Sequence, residues 1–112
     1  MSLQFTHIKG DTFDQVAFQL KINESAVNLT GATIRMQLRK SYSDTVAALS
    51  LTSASSAGIT ITNAANGEFK INTQIIDIEV YNYVYDIQIT FSSGVVKTYV
   101  QGGFNITNEV TR

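Results

Sequence analysis

Three features of the sequence predict an all-β fold of two antiparallel sheets packed face to face. Apolar residues recur at every second position from end to end, the period of a strand with one buried face. Val, Ile and Thr outnumber Leu, Met and Ala about two to one, and branching at Cβ suits a pleated surface better than a helix. Turn-forming Gly, Asn, Asp and Ser residues punctuate the chain about every ten positions, which keeps the strands short. Nothing resembles a βαβ unit. At 112 residues the chain fits one domain, residues 1–112, with no linker and no internal repeat.

Taken in order, residues 3–9 read as a short strand closed by the turn pair Gly10-Asp11. Residues 13–23 follow with Val16, Phe18, Leu20 and Ile22 on one face and Gln15, Ala17, Gln19 and Lys21 on the other. Asn23-Glu24-Ser25 and Asn28 mark a loop, and Thr30-Gly31 a tight turn. Residues 32–40 direct Ile34, Met36 and Leu38 inward and Thr33, Arg35, Gln37 and Arg39 outward. After a polar loop at 41–44, Ser43 or Asp44 could cap a short helix, but the alternation of Leu49 and Leu51 favours a strand.

Residues 53–58 form a small-residue loop into Ile59-Thr60-Ile61-Thr62. Asn66-Gly67 signals a type I′ hairpin ahead of residues 68–72, whose Phe69 and Ile71 point inward. Residues 73–80 fit either a capped helical turn or a strand showing Ile76, Ile78 and Val80 on one side, and the pattern leaves both open. Tyr81, Tyr83, Tyr85, Ile87, Ile89 and Phe91 then share one face of a long strand, with Asn82, Val84, Asp86, Gln88 and Thr90 opposite. Ser92-Ser93-Gly94 turns the chain into residues 95–101, with Val96, Thr98 and Val100 inward. Gly102-Gly103 reads as a bulge or bend before a last strand carrying Phe104 and Ile106. Eight or nine short strands in this arrangement predict an immunoglobulin-like sandwich.

Eight Lys and Arg against nine Asp and Glu give a formal net charge of -1, which offers no attraction to nucleic-acid phosphates or an anionic membrane surface. Neither nucleic acid nor membrane is an expected partner. No stretch approaches the roughly 18 consecutive apolar residues of a spanning helix. The polar start lacks the apolar run of a secretory signal, so export by that route is not expected. Cys is absent and His occurs once, which excludes disulfides, iron–sulfur clusters, thiolate zinc sites and poly-His metal sites.

No catalytic residue, metal ligand or cofactor is assigned. His7 lies in the first strand without a neighbouring nucleophile or acidic pair, so it reads as a structural or surface residue. The carboxylates are scattered. Asp77 with Glu79, or Asp11 with Asp14, could hold calcium weakly, but solvated faces and turn hydrogen bonds are the simpler reading. Gly102-Gly103 lacks the spacing and the following helix of a phosphate loop. Asn23, Asn28 and Asn105 each begin a glycosylation tripeptide, a match that a chain so rich in Asn, Ser and Thr produces by composition alone.

Ser, Thr, Asn and Gln supply about a third of the chain and charged residues only 15%, so the outer faces are covered by groups that can be buried against another protein without stranding charges. With few charges and no Pro, the sheet edges are poorly protected, and the isolated chain is expected to associate. The tyrosine series at 81, 83 and 85 continues in register into Ile87, so it reads as core and not as a sugar-stacking platform. Alternation places Tyr99 outward beside Val95 and Lys97, and these three residues are the candidate partner contact.

Four motifs follow one another over nearly the whole chain: Lys9-Gly10-Asp11-Thr12-Phe13; Asn28-Leu29-Thr30-Gly31-Ala32-Thr33-Ile34-Arg35-Met36-Gln37-Leu38-Arg39; Tyr83-Val84-Tyr85-Asp86-Ile87; and Glu109-Val110-Thr111-Arg112. In them the sequence resembles the N-terminal domain of bacteriophage baseplate upper proteins and the small stand-alone β-sandwich proteins of phage structural gene blocks. Residues 75–80 depart from the Ala-rich helical turn usual in those proteins.

The resemblance implies a non-enzymatic virion component, made in the host bacterial cytoplasm and used in several copies. It would be an adaptor or assembly module of the tail, baseplate, neck or fibre region that contacts other virion proteins. The alternative is a glycan- or receptor-binding module, with Tyr42 and Tyr99 as its contacts. A hydrolytic enzyme is disfavoured because no nucleophile, base and orienting group come together. Asp86, facing outward, is expected to accept hydrogen bonds from Arg35 or Arg39.

Overall fold

The computed structural model describes residues 2–108 and is all-β, with several sheets and no α-helix among the described residues. The closing motif Glu109-Val110-Thr111-Arg112 lies outside the described residues. In chain order the strands are β1 (Phe5–Ile8), β2 (Thr12–Phe13), β3 (Val16–Gln19), β4 (Lys21–Ile22), β5 (Ser25–Ala26) and β6 (Thr33–Arg39). They continue with β7 (Leu49–Thr52), β8 (Ile59–Asn63), β9 (Glu68–Ile71), β10 (Gln74–Ile75), β11 (Tyr81–Thr90) and β12 (Val96–Thr107). Several are only two residues long, so the strands outnumber the eight or nine expected.

The main sheet runs β1-β12-β11-β6-β7 and curls as a half-barrel, antiparallel throughout except for β1, which lies parallel to β12. A three-stranded antiparallel sheet runs β3-β9-β8, and β2–β10 and β4–β5 form two small ladders. Both larger sheets feed one continuous core. Ile34, Ile87 and Phe104 come from the five-stranded sheet, and Ile59, Phe69 and Ile71 from the other. The architecture is compatible with a two-layer sandwich.

β6 and β11 keep the predicted faces: Ile34, Met36 and Leu38 are buried, as are Tyr83, Tyr85, Ile87 and Ile89. Other expectations are corrected. Residues 13–23 are not one strand but three pieces, and Ile22 is 49% exposed. Asn23 and Glu24 adopt φ of 51° and 67°, the positive pair that a two-residue hairpin turn demands, so β4 and β5 fold back on each other and leave the sheet.

At Asn66-Gly67 the expected two-residue turn is replaced by a 3-10 turn over Ala64–Asn66, with the Asn63 side chain accepting from the Asn66 N–H. Gly67 follows at φ 71°, and a Cβ there would lie 2.7 Å from the Leu20 carbonyl oxygen. The loop residue Leu29 is fully buried beside this turn, its N–H donating to the Ala64 carbonyl at 2.7 Å.

Of the two readings left open for residues 73–80, the helical turn is absent and a short strand is present. β10 pairs with β2, Ile76 is buried, Ile78 is half-buried and Val80 is exposed. Another correction concerns β12. Ile87 pairs with Val100 but Gln88 pairs with Thr98, so Tyr99 is an extra residue and the faces invert above it. Val96 and Thr98, expected inward, are exposed. Gly102-Gly103, by contrast, keeps perfect register with Tyr85 and Val84 and is not a bulge. A Cβ on Gly102 would sit 2.2 Å from the Leu3 carbonyl oxygen, so the glycine pair admits the N-terminal arm against β12.

Candidate interaction surfaces

The predicted contact residues lie where β12 outruns β1. Among the described residues, β1 and the Ser2–Gln101 bridge cover β12 only from Gln101 onward, so the segment from Val96 to Val100 has β11 on one side and an open edge on the other. Val95 and Val96, at the root of the hairpin turn, are 48% and 51% exposed. Lys97 takes the rung opposite Ile89 and reaches solvent. Tyr99 is not the outward aromatic that alternation suggests. The bulge turns it toward the core margin, half-buried and edge-on to Phe91, with ring centroids 6.4 Å apart. Val95 and Lys97 therefore share an exposed surface, while Tyr99 buttresses it from below. This edge carries both a lysine and a bulge, two features that discourage strand addition.

A second open region has neither a lysine nor any other charge. β7 ends the five-stranded sheet, β8 ends the three-stranded one, and a parallel bridge from Thr52 to Gly58 brings them together. Two clefts flank the loop between them. One, of about 600 Å³, runs beside Ile59, Thr60 and Ile61 under Ser53, Ser55 and Ser56. The other, of about 470 Å³, lies between Ser50 and the Asn72–Gln74 segment. Hydroxyls, amides and small apolar groups line both, with no ionisable side chain in either. Thr60 donates its hydroxyl to the Asn72 side chain at 2.9 Å, which marks the solvent-facing side of β8.

The remaining candidates resolve into structural roles. His7 is buried, its ring edge-on to Phe13 and its Nε2 3.0 Å from the Asp11 carbonyl oxygen. Tyr83 and Tyr85 are core residues whose hydroxyls donate to the carbonyls of Glu79 and Leu3, each at 2.7 Å. Burial pushes the Tyr85 phenol up to about 12, with a smaller contribution from Tyr42. Tyr81, read from the sequence as core with them, is instead exposed, with the Lys40 ammonium 5.0 Å above its ring.

Asp77 and Glu79 do not face each other across a metal position. Asp77 pairs with Lys9 at 2.6 Å and Glu79 with Lys40 at 3.1 Å. The Glu79 carboxylate raises the Lys40 ammonium above its ordinary range by hydrogen bond and charge. Among the described residues, no group of three or more His, Cys, Asp or Glu is placed to hold a metal ion.

The expected bond from Arg35 or Arg39 to Asp86 does not form. Asp86 stands opposite Gln37, while Arg35 and Arg39 stand opposite Gln88 and Val84, two residue pairs away on either side. Each guanidinium is taken up locally. Arg35 donates to Gln88 Oε1 at 2.9 Å, and Arg39 donates to Gln37 Oε1 at 2.6 Å and to the Asp44 carbonyl. The separation of the carboxylate from its expected partners could not be read without the strand register.

Compared with known proteins, the chain matches no family model and no curated protein.

Proposed function

We propose that the protein is a non-enzymatic structural module of a bacteriophage virion. It would act as an adaptor or assembly unit of the tail, baseplate, neck or fibre region, present in several copies and docking to other virion proteins. The body that does this is read as an immunoglobulin-like two-sheet sandwich. The ordered motifs of the sequence and their resemblance to baseplate upper proteins support the phage assignment. One observation carries the mode of action: the uncharged β7–β8 edge with its two clefts, set against a β12 edge that a lysine and a bulge protect.

Backbone N–H and C=O groups at an open edge pair with any extended neighbour, and a lining without ionisable groups lets that neighbour be buried with no uncompensated charge. The test is incorporation into particles. Wild-type protein is expected in purified virions by mass spectrometry. Thr60→Lys, which sets a charge on the open edge, is expected to be excluded, while Thr98→Lys on the protected edge is still incorporated. Absence of the wild-type protein from virions would refute the assignment, and equal incorporation of both variants would refute the edge.

A further inference from the structure

We propose that the notch between Tyr42 and Asp86, on the outer face of the five-stranded sheet, is a subsite for a neutral saccharide. It is separate from the β7–β8 edge, and the inference does not rest on the assembly role. Strand register lays Ser50, Gln37, Asp86 and Gln101 in one row across β7, β6, β11 and β12. Tyr42, 60% exposed on the loop after β6, closes one side, and the notch holds about 60 Å³. That is room for a hydroxymethyl group or a pair of hydroxyls, since a water occupies about 30 Å³ of liquid.

The unusual member of the row is Asp86. Its side chain is half-buried, and among the described residues its carboxylate has no hydrogen-bond or ion-pair partner, although an arginine stands two residue pairs away on either side. Both guanidiniums are engaged elsewhere, with Gln88, Gln37 and Asp44. Asp44 turns its own carboxylate onto the Val46 N–H at 3.3 Å.

An ionised carboxylate only accepts, so the group it receives must donate. A cation would approach between Arg35 and Arg39, and like-charge repulsion opposes it. An anion meets Asp86 itself. Neutral donors remain, and among them a saccharide also uses the exposed Tyr42 ring, a flat apolar surface on which a pyranose can lay its C–H face while its hydroxyls reach Asp86 and Gln37 in the notch wall.

The experiment is an amide NMR titration of the intact protein with methyl α-glucoside, methyl β-galactoside and methyl α-mannoside, each at millimolar concentration. At least one glycoside is expected to shift the amides of Gln37, Val84, Asp86 and Gln101 saturably. Asp86→Asn, which keeps the side chain's shape, should weaken that binding by about tenfold or more, the loss expected when a hydrogen bond to a charged group becomes neutral. Tyr42→Ala should do likewise, with amide spectra elsewhere unchanged and with incorporation into particles retained.

No shift with any of the three glycosides overturns the proposal. So does binding undiminished in both variants, or an oligolysine peptide that occupies the same amides more tightly than the sugars. Because the β7–β8 edge is untouched by these variants, failure here leaves the assembly reading standing, and failure of Thr60→Lys to block incorporation leaves this one standing.

Discussion

Residues 81–91 and residues 13–23 carry equally regular alternation, yet the first folds as one ten-residue strand and the second as three fragments. The difference lies in their neighbours. β11 is paired along its length by β12 and for most of it by β6, so nearly every backbone group finds a partner. β3 has β9 on one side only, for four residues. Past that pairing the chain leaves the sheet and makes its own hairpin about Asn23-Glu24. Alternation encodes which face a side chain takes while a strand lasts. It does not encode how long the strand lasts, which is set by partners distant in sequence.

That contrast can be tested at equivalent side chains. Ile87→Ala removes a fully buried group from the centre of β11 and is expected to cost about 2–5 kcal/mol in chemical denaturation. Ile22→Ala, in the fragment that has left the sheet, should stay within about 0.5 kcal/mol. Equal costs would mean that the hairpin is docked in solution and that the two regions do not differ as described.

A smaller effect probes the flank of β11, where β12 must admit the N-terminal arm. Gly102→Ala is expected to lose about 1–3 kcal/mol, because the new methyl overlaps the Leu3 carbonyl and pushes β1 off its ladder. Faster hydrogen exchange confined to β1 and residues 101–107 would locate that loss.

Tyr85→Phe removes the hydroxyl that holds Leu3 and should cost about 1 kcal/mol. It also has a pH signature. The folded-state phenol titrates at about 12, above its ordinary value near 10, so folding favours the neutral ring. This contribution is fully present below pH 10 and is lost as the pH rises through about 12. Alkaline melting curves should therefore fall less steeply in Tyr85→Phe than in the wild type.

The last effect belongs to the hairpin and has the opposite sign. Glu24 holds a positive φ that disfavours a side chain, so Glu24→Gly should stabilise the protein, by up to about 1 kcal/mol. A loss of stability would show that the Glu24 side chain contributes a contact there.

These results bound what the residues alone make legible. The all-β class and the inward faces of β6 and β11 can be read directly, because each depends on local period. The Tyr99 bulge cannot, since an extra residue leaves alternation intact on both sides of it and only the partner strand exposes the slip. Asn66-Gly67 announces a turn without announcing its type, because Gly67 is held as much by the approach of Leu20 and Val27 as by its own conformation.

The candidate surfaces follow the same rule. Val95 and Lys97 are exposed as their sequence suggests, and Tyr99 is not. That Tyr42 and Asp86 share a notch depends on a loop crossing to a strand more than forty positions away.

The central claim is that the uncharged β7–β8 edge is the surface by which this domain enters an assembly. An electron cryo-microscopy reconstruction of the intact particle, at a resolution that traces backbone, tests it most directly. The account predicts repeated copies of the domain with a neighbouring chain seated against Ile59–Asn63 and in the clefts beside the 53–58 loop. A particle in which the domain is present but that edge faces solvent, or from which the domain is missing, would contradict it.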